Sequence, residues 1–219
     1  MTNQTRYDAK GVQAEMEPGS RGRVLRNLLS IKRVGDMNEA ESQALLLAQS
    51  QAVDLYADDQ RFTAQDICDL HRLWLAPIYS WAGEYRSVNI GKAGFQFAHA
   101  PLIQGLMAEL ERSVLSECTP CRSSNDAGVA RSLAIVHAEL ILIHPFRDGN
   151  GRVARLLALL MGLQAGLPPL DFSPIDGVNK DAYILVIHAA MGRNYEPLVQ
   201  MFEQVISQTW ARHAAASAR

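Results

Sequence analysis

Two apolar segments of this chain are joined by one polar stretch, which reads His144-Pro145-Phe146-Arg147-Asp148-Gly149-Asn150-Gly151-Arg152-Val153-Ala154-Arg155. Upstream, apolar residues recur with helical spacing over 129–143, and Pro145 ends that pattern just after His144. Downstream, residues 153–163 are almost wholly apolar apart from Arg155, which predicts a buried helix that begins near Asn150. The stretch is therefore predicted to be a loop between two helices, with the N-terminal dipole of the second helix at its end.

The polar residues of this loop suit a polyphosphate ligand. Asp148 can hold a divalent cation, and Gly149 to Gly151 can turn successive backbone N–H groups towards an anion. Arg152 and Arg155 lie one turn apart at the start of the second helix. Taken singly, each residue has a structural explanation, because His-Pro, Asp-Gly and Asn-Gly are common at helix ends and turns. Together they predict a binding site, since buried arginines without partners would be costly, and Phe146 is predicted to anchor the loop in the core.

The pattern His-Pro-Phe-x-Asp-Gly-Asn-Gly-Arg-x-x-Arg at residues 144–155 resembles the signature loop of the Fic family at every defined position, and we call it the signature loop. A second segment resembles the family's approach to its flap, a short β-hairpin beside the active site: Trp81-Ala82-Gly83-Glu84-Tyr85-Arg86, Val88-Asn89-Ile90 and Gly94-Phe95-Gln96-Phe97. Further similar segments are Pro18-Gly19, Val24-Leu25-Arg26-Asn27 and Asn179-x-x-x-Tyr183. The resemblance extends from about residue 17 to residue 202. It implies the all-α Fic fold, a compact bundle of about eight helices with one β-hairpin flap.

What the resemblance implies for function is transfer of a nucleoside monophosphate, usually AMP from ATP, to a Ser, Thr or Tyr hydroxyl of a target protein, with release of pyrophosphate. His144 is then the general base, because an imidazole titrates near neutral pH. Asp148 holds Mg²⁺, which offsets charge on the phosphates. The phosphates themselves are held by Gly149, Asn150, Gly151, Arg152 and Arg155.

The flap and one later helix suggest further contacts. Residues 88–90 and 95–97 alternate around Gly91 and Gly94, which predicts a hairpin with an exposed backbone edge. An extended target segment could pair with that edge, in contact with Lys92, Phe95 and Phe97, although an ordinary solvent-facing hairpin explains the same pattern. Asn179 and Tyr183, spaced i,i+4, are expected to border the adenine, and Tyr183 is equally consistent with a core position.

Composition is consistent with one globular domain at residues 17–219, preceded by a polar arm at 1–16. The chain has 219 residues, is 48% hydrophobic and carries a net charge of -2, so no basic face for direct nucleic-acid binding is expected. The longest apolar run, 156–163, is too short to span a bilayer, and the first residues contain no apolar signal segment. The expected location is the cytoplasm. Helical spacing predicts helices at 24–29, 39–54, 64–78, 100–115, 129–143, 150–165, 180–191 and 195–216, and the flap as the only β structure.

The three cysteines predict no disulfide framework. Cys118 and Cys121 form a single C-x-x-C without a second pair, so a plain loop is favoured over a zinc or redox site. Cys68 lies on an apolar helix face and is predicted to be a core residue.

Regulation is suggested by a motif that the chain lacks. Many Fic proteins carry a Ser/Thr-x-x-x-Glu-Gly/Asn motif whose glutamate pairs with the second arginine of the signature loop, and these 219 residues contain no match. The chain therefore resembles members that are inhibited by a separate antitoxin protein, and we expect it to be the toxin of such a pair. Two alternatives remain open: transfer of another nucleotide or of phosphate, or removal of AMP, on the same fold, and a nucleotide-binding regulatory module without catalysis.

Overall fold

The computed structural model describes residues 8–9, 13, 15–92, 95–175 and 180–218, and these residues are mainly helical. They divide into two compact units. The first unit draws on residues 1–55, 64–108 and 143–153, and the second on residues 56–63, 109–142 and 154–219. None of the described helices has both the length and the apolar character required to cross a membrane.

The helices largely follow the predicted pattern. Among the described residues the α-helices are α1 (Val34–Leu55), α2 (Ala64–Leu75), α3 (Ile103–Glu109), α4 (Ser116–Cys118), α5 (Asp126–Ile143), α6 (Asn150–Gln164), α7 (Lys180–Ala190) and α8 (Glu196–Ser217). The single helix predicted over 100–115 is instead a 3₁₀ turn at Ala100–Leu102, α3, and a π-helical segment at Leu110–Leu115 that leads into α4.

The helix predicted at 24–29 is wrong, because this segment is a loop. The reason is the side chain of Asn27. Its amide nitrogen donates to the carbonyls of Leu25 and Ile31, and its amide oxygen accepts from the N–H groups of Leu29 and Ile31. Asparagine commonly offers the backbone such local alternatives to helical hydrogen bonds, and here four of them organise a turn.

The flap is a β-hairpin, as predicted, but it is not the only β structure. Strands β1 (Asp8–Ala9), β2 (Ile90–Lys92) and β3 (Phe95–Gln96) form an antiparallel sheet in the order β1-β2-β3. In its register, Gly91 of β2 faces Asp8 on one side and Gln96 on the other. The expectation that the flap would be the only β structure is therefore wrong, because the polar arm supplies the strand that covers one edge of β2.

In the first unit, α1 and α2 pack together and give α2 a buried face. Its buried residues recur every three or four positions: Ile67, Cys68, Leu70, His71, Trp74 and Leu75. The predicted core position of Cys68 is confirmed, with 6% of its surface exposed. Because His71 and Trp74 belong to this stripe, α2 presents two ring systems with hydrogen-bonding groups inside the core.

In the second unit, α5, the part of α6 from residue 154 onwards, and α8 supply a dense apolar core that includes Leu133, Leu140, Leu157 and Phe202. This is the burial that the apolar sequence of α6 predicted. Cys118 and Cys121 are free thiols, and burial raises the pKa of Cys121 to about 11. Such a thiol is a poor nucleophile at neutral pH.

Candidate active site

The signature loop starts with His144, immediately after the last residue of α5. Its backbone adopts the left-handed conformation, with φ of 53°, and its ring is almost completely buried. The ring stacks on Phe97 of the flap, with 3.7 Å between ring centroids and 17° between ring planes. Phe97, predicted as a contact for a target, thus lies directly against the predicted general base.

Arg86 holds the backbone at this end of the loop. It is 2% exposed, and its guanidinium makes four hydrogen bonds to carbonyl oxygens: His144 at 2.8 Å, Val88 at 2.7 Å, Ala98 at 2.5 Å and Ile143 at 3.4 Å. Burial lowers the pKa of Arg86 to about 10, so the side chain stays charged at neutral pH. It therefore ties both ends of the flap segment to the exit of α5.

The middle of the loop is anchored by Phe146 in the core, as predicted. Phe146 is 0% exposed, and its ring stacks on His71 of α2 with 3.9 Å between centroids. Nδ1 of His71 accepts a hydrogen bond from the N–H of Gly83, so the proton of the neutral ring lies on Nε2 and is donated to the carbonyl of Asp148, 3.0 Å away. Burial lowers the pKa of His71 to about 4, which keeps this arrangement neutral at physiological pH.

The Asp148-Gly149-Asn150 segment turns the loop into α6. Gly149 has φ of 82°, and a Cβ atom there would lie 2.7 Å from the Trp74 ring, so both backbone and space require glycine. Its N–H donates to Oδ1 of Asp148. The side chain of Asn150 accepts from the N–H of Phe146 and donates to the carbonyl of Phe146, both at 2.8 Å. The Asn150 amide therefore shapes the loop, and the predicted phosphate contact at this position would fall to its backbone.

Arg152, on the first turn of α6, lies against α1 and α2. Its Nη1 pairs with Oε2 of Glu41 at 2.5 Å, and its guanidinium lies over the ring of Trp74, 4.4 Å from the centroid. Its Nη2 makes no hydrogen bond, and Oδ1 of Asp148 is 3.5 Å away. The first unit thus contains six predicted site residues of the signature loop: His144, Asp148, Gly149, Asn150, Gly151 and Arg152.

Arg155 and Tyr183 belong to the second unit. Burial first, and then the positive charge of Arg155, lower the pKa of His137 to about 3. Nε2 of this neutral histidine is 2.7 Å from the hydroxyl of Tyr183. Tyr183 is half-buried beside His137, and its role at the adenine stays a prediction. Asn179 lies outside the described residues.

The structure describes side-chain contacts for two of the three predicted flap residues. Phe95 and Phe97 meet edge to face, with 5.1 Å between their centroids, and Phe97 reaches His144. Lys92 ends β2, and its side chain is outside the described part of the structure. Gly151, at the second position of α6, remains a predicted phosphate contact.

The residues around Asp148 fit a magnesium ion that is shared with a substrate. Within the described ranges, no group of three or more His, Cys, Asp or Glu side chains is arranged to hold a metal. Mg²⁺ commonly binds through one or two carboxylates together with substrate phosphates, and a single aspartate beside a helix N-terminus suits this mode.

Sequence reasoning missed the residues that support the loop. Arg86 belongs to the segment that resembles the flap approach but carries no predicted role, and neither His71 nor Glu41 has one. A hydrogen-bonding side chain within an otherwise apolar stripe, such as His71 in α2, is the one local signal that could have identified a support residue.

The chain is similar in sequence to known proteins of the Fic/DOC family. Residues 61–161 match the model of the Fic/DOC family. A probable protein adenylyltransferase of Sinorhizobium fredii is 29% identical over 153 residues, covering 70% of this chain and 77% of that protein. Protein adenylyltransferase VbhT of Bartonella schoenbuchensis is 27% identical over 143 residues, covering 65% of this chain and 30% of that protein. The chain thus spans less than a third of the length of the second relative.

Solved structures show the same fold. The BepC protein of Bartonella tribocorum, crystallised with AMPPNP, superimposes with a TM-score of 0.68 at 24% identity over 83% of this chain and 91% of that one. The N-terminal Fic domain of a Bep effector from Bartonella sp. AR 15-3 gives a TM-score of 0.69 at 19% identity over 87% and 88%. The predicted Fic fold is confirmed, and the resemblance to the Fic family is supported by the match of residues 61–161 to the Fic/DOC family model.

Proposed function

We propose that this protein is a protein adenylyltransferase, which transfers AMP from ATP to a hydroxyl side chain of a target protein and releases pyrophosphate. The observation that carries the proposal is the arrangement of the signature loop: a histidine at one end, and a carboxylate, a helix N-terminus and an arginine at the other, on one backbone that is held at both ends. The relatives named protein adenylyltransferase support the same activity.

In this reaction the side chain of His144 removes the proton of the target hydroxyl, whose oxygen attacks the α-phosphorus of ATP. The bond between the α-phosphorus and the oxygen that bridges to the β-phosphate breaks, and pyrophosphate leaves with the electron pair. Arg152 and Arg155 hold the outer phosphates and stabilise the charge that develops on them, together with the N-terminus of α6. Gly149 and Gly151 allow the backbone to approach the phosphates closely.

Asp148 would hold Mg²⁺, which when bound offsets negative charge on the phosphates. The residue itself is held twice, through its carbonyl by His71 and through its carboxylate by the N–H of Gly149. Its carboxylate is thus fixed before any ligand arrives.

The flap is proposed to dock an extended segment of the target. Because β2 lies between β1 and β3, a target strand would add beside β3 or take the place of β1. Lys92, Phe95 and Phe97 would contact the target, and Phe97, which stacks on His144, would also keep that ring in one orientation.

The test uses purified wild-type protein with Mg²⁺ and ATP labelled at the α-phosphate, incubated in cell lysate, followed by intact-mass analysis of each labelled protein. We expect an added mass of AMP on the target. His144→Ala should lose this label and still bind ATP. His144→Asn is a second variant, because asparagine tolerates the left-handed backbone at this position. His213→Ala, an exposed residue of α8, is the matched control and should label normally.

Other outcomes separate the alternatives. Label from the γ-phosphate of ATP would indicate phosphate transfer, and label only from UTP or CTP would change the nucleotide. ATP binding without label from any nucleotide would support a regulatory module. Loss of label in EDTA, restored by Mg²⁺, is the result expected for the metal.

Control by a separate inhibitory protein is a further part of the proposal. Its support is that no Ser/Thr-x-x-x-Glu-Gly/Asn motif occurs in these 219 residues, so an inhibitory glutamate of that kind would come from outside them. We expect expression of the chain alone to arrest growth in a His144-dependent manner. Full activity together with harmless expression would contradict it.

A further inference from the structure

Arg152 is held by residues of α1, of α2 and of the segment after α2. Glu41 of α1 is 4% exposed, and both of its carboxylate oxygens are engaged: Oε1 accepts from the hydroxyl of Tyr79 at 2.7 Å, and Oε2 from Nη1 of Arg152 at 2.5 Å. Trp74 donates its indole N–H to the backbone carbonyl of Glu41 at 2.9 Å and places its ring under the Arg152 guanidinium. We call Glu41, Trp74 and Tyr79 the Glu41 clamp.

In the clamp, the Glu41 carboxylate is the hydrogen-bond acceptor, and Tyr79 and Arg152 are its donors. Burial, and after it the carboxylate of Glu41, raise the pKa of Tyr79, so its hydroxyl keeps its proton and donates it to Glu41. A buried carboxylate is stable only with such donors and an opposite charge, and Arg152 supplies the charge. Glu41 and Arg152 therefore hold each other as an ion pair inside the first unit, across 111 positions of sequence.

The clamp uses only part of the guanidinium. Glu41 pairs with Nη1, and the ring of Trp74 covers one face of the guanidinium. Nη2 is buried, makes no hydrogen bond and forms an ion pair with Oδ1 of Asp148 at 3.5 Å. An arginine side chain has high conformational entropy, and a partner on one nitrogen reduces what is lost when a ligand binds the other. The plane of Arg152 is thus fixed, with 21% of its side chain exposed and Nη2 buried beside Asp148.

We propose that Glu41 is a positioning residue, which orients Arg152 for the phosphates of the nucleotide through the Glu41 clamp. This rests on the proposed function only in naming ATP as the ligand. The opposite role, in which Glu41 competes with the phosphates for Arg152, does not suit a carboxylate that is 4% exposed and has the Tyr79 hydroxyl on its other oxygen.

The experiment is a double-mutant cycle read by ATP binding and by transfer kinetics. The four proteins are the wild type, Glu41→Gln, Arg152→Ala and the double variant. We expect Glu41→Gln to weaken ATP binding and raise KM for ATP by about tenfold, with a smaller change in kcat. In the Arg152→Ala background the same substitution should change ATP affinity by less than about twofold, since its effect acts through Arg152.

Controls keep this test decisive. Glu109→Gln changes an exposed glutamate that pairs with Arg112 and should leave ATP affinity unchanged. Tyr79→Phe is the milder variant of the clamp, with an expected loss of about threefold in the same direction, for use if Glu41→Gln unfolds. Thermal unfolding verifies that each variant is folded.

Three results would overturn the inference. Unchanged ATP affinity in folded Glu41→Gln would mean that the clamp does not position Arg152. Increased affinity or activity would mean that Glu41 blocks the site. An equal loss in both Arg152 backgrounds would mean a general structural role. Because ATP binding is measured apart from transfer, a coupled cycle without any labelled target would refute the adenylyltransferase and leave the clamp in place.

Discussion

Arg86 and Arg152 stand at opposite ends of the signature loop, and they are bound in different ways. The guanidinium of Arg86 meets only backbone carbonyls and makes four hydrogen bonds. That of Arg152 meets a carboxylate through one nitrogen and a tryptophan ring through one face, and its Nη2 makes no hydrogen bond.

The difference separates an arginine that holds the fold from one that is oriented within the candidate site. A guanidinium that bridges carbonyls from the flap and from the exit of α5 keeps two chain segments together and keeps His144 in place. A guanidinium held on one side by Glu41 is ordered in advance, and its buried Nη2 has a charge partner in Asp148 but makes no hydrogen bond. The two residue types are identical, and only their partners distinguish their roles.

The largest effect on stability is expected for Arg86→Ala, which removes the arginine that holds the fold. It leaves several buried carbonyls without donors and opens a cavity, so we expect a loss of about 4 kcal/mol in the free energy of unfolding, measured by urea denaturation. Arg86→Lys should recover only part of it, because an ammonium cannot reach all four carbonyls. Arg112→Ala, at an exposed ion pair, is the control and should be nearly neutral. A small effect of Arg86→Ala would show that the His144 end is held by other contacts.

Gly149→Ala tests the other end of the loop. The new Cβ would meet the Trp74 ring at 2.7 Å in a backbone with φ of 82°, so we expect a loss of about 3 kcal/mol together with weaker ATP binding. Gly166→Ala is the matched control, since its φ is 79° and nothing lies within 4 Å of its Cβ position. It isolates the backbone cost, about 1 kcal/mol. Equal losses at the two glycines would remove the steric part of the explanation.

The smallest expected effect is a pH dependence of the unfolding free energy that arises from His71, the residue that holds the Asp148 end of the loop. With a pKa of about 4 in the folded protein against 6.5 in the unfolded chain, the unfolded state takes up the proton first as the pH falls. The contribution of neutral His71 is complete above pH 6.5, and about 2 kcal/mol of it is lost by pH 5.

The measurement is the difference in unfolding free energy between wild type and His71→Gln at a series of pH values. His137 makes the same contribution to the pH dependence of both proteins, so this contribution cancels from the difference in their unfolding free energies. His213→Gln, at an exposed position, is the control. A difference that does not change between pH 7.5 and pH 5 would contradict the buried neutral ring.

Much of the fold was open to prediction because its signals are local. Apolar periodicity located α1, α2, α5, α6, α7 and α8, and Pro145 marked the end of α5. Where a single side chain reorganises the backbone, as Asn27 does after Val24, periodicity misled. The strand β1 was also missed, since a two-residue strand has no pattern of its own and exists through its partner β2.

The signature loop shows the same division within the candidate site. Its residues, its position between two helices and the burial of Phe146 follow from the sequence, because each depends on neighbours within a few positions. The contacts that hold the loop in place do not follow from the sequence. Asp148 is held by a histidine 77 positions away and His144 by an arginine 58 positions away.

The sequence by itself determined the helical framework, the flap and the chemical content of the loop, since these depend on side-chain type and spacing along the chain. The tertiary structure alone decided which groups hold the loop, which nitrogen of Arg152 is occupied by Glu41, and that Phe97 stacks on His144. The physical reason is the separation along the chain over which each kind of interaction acts. Helical spacing and turn chemistry act over a few residues, whereas buried ion pairs and ring contacts form between any positions that folding brings within a few ångströms of one another.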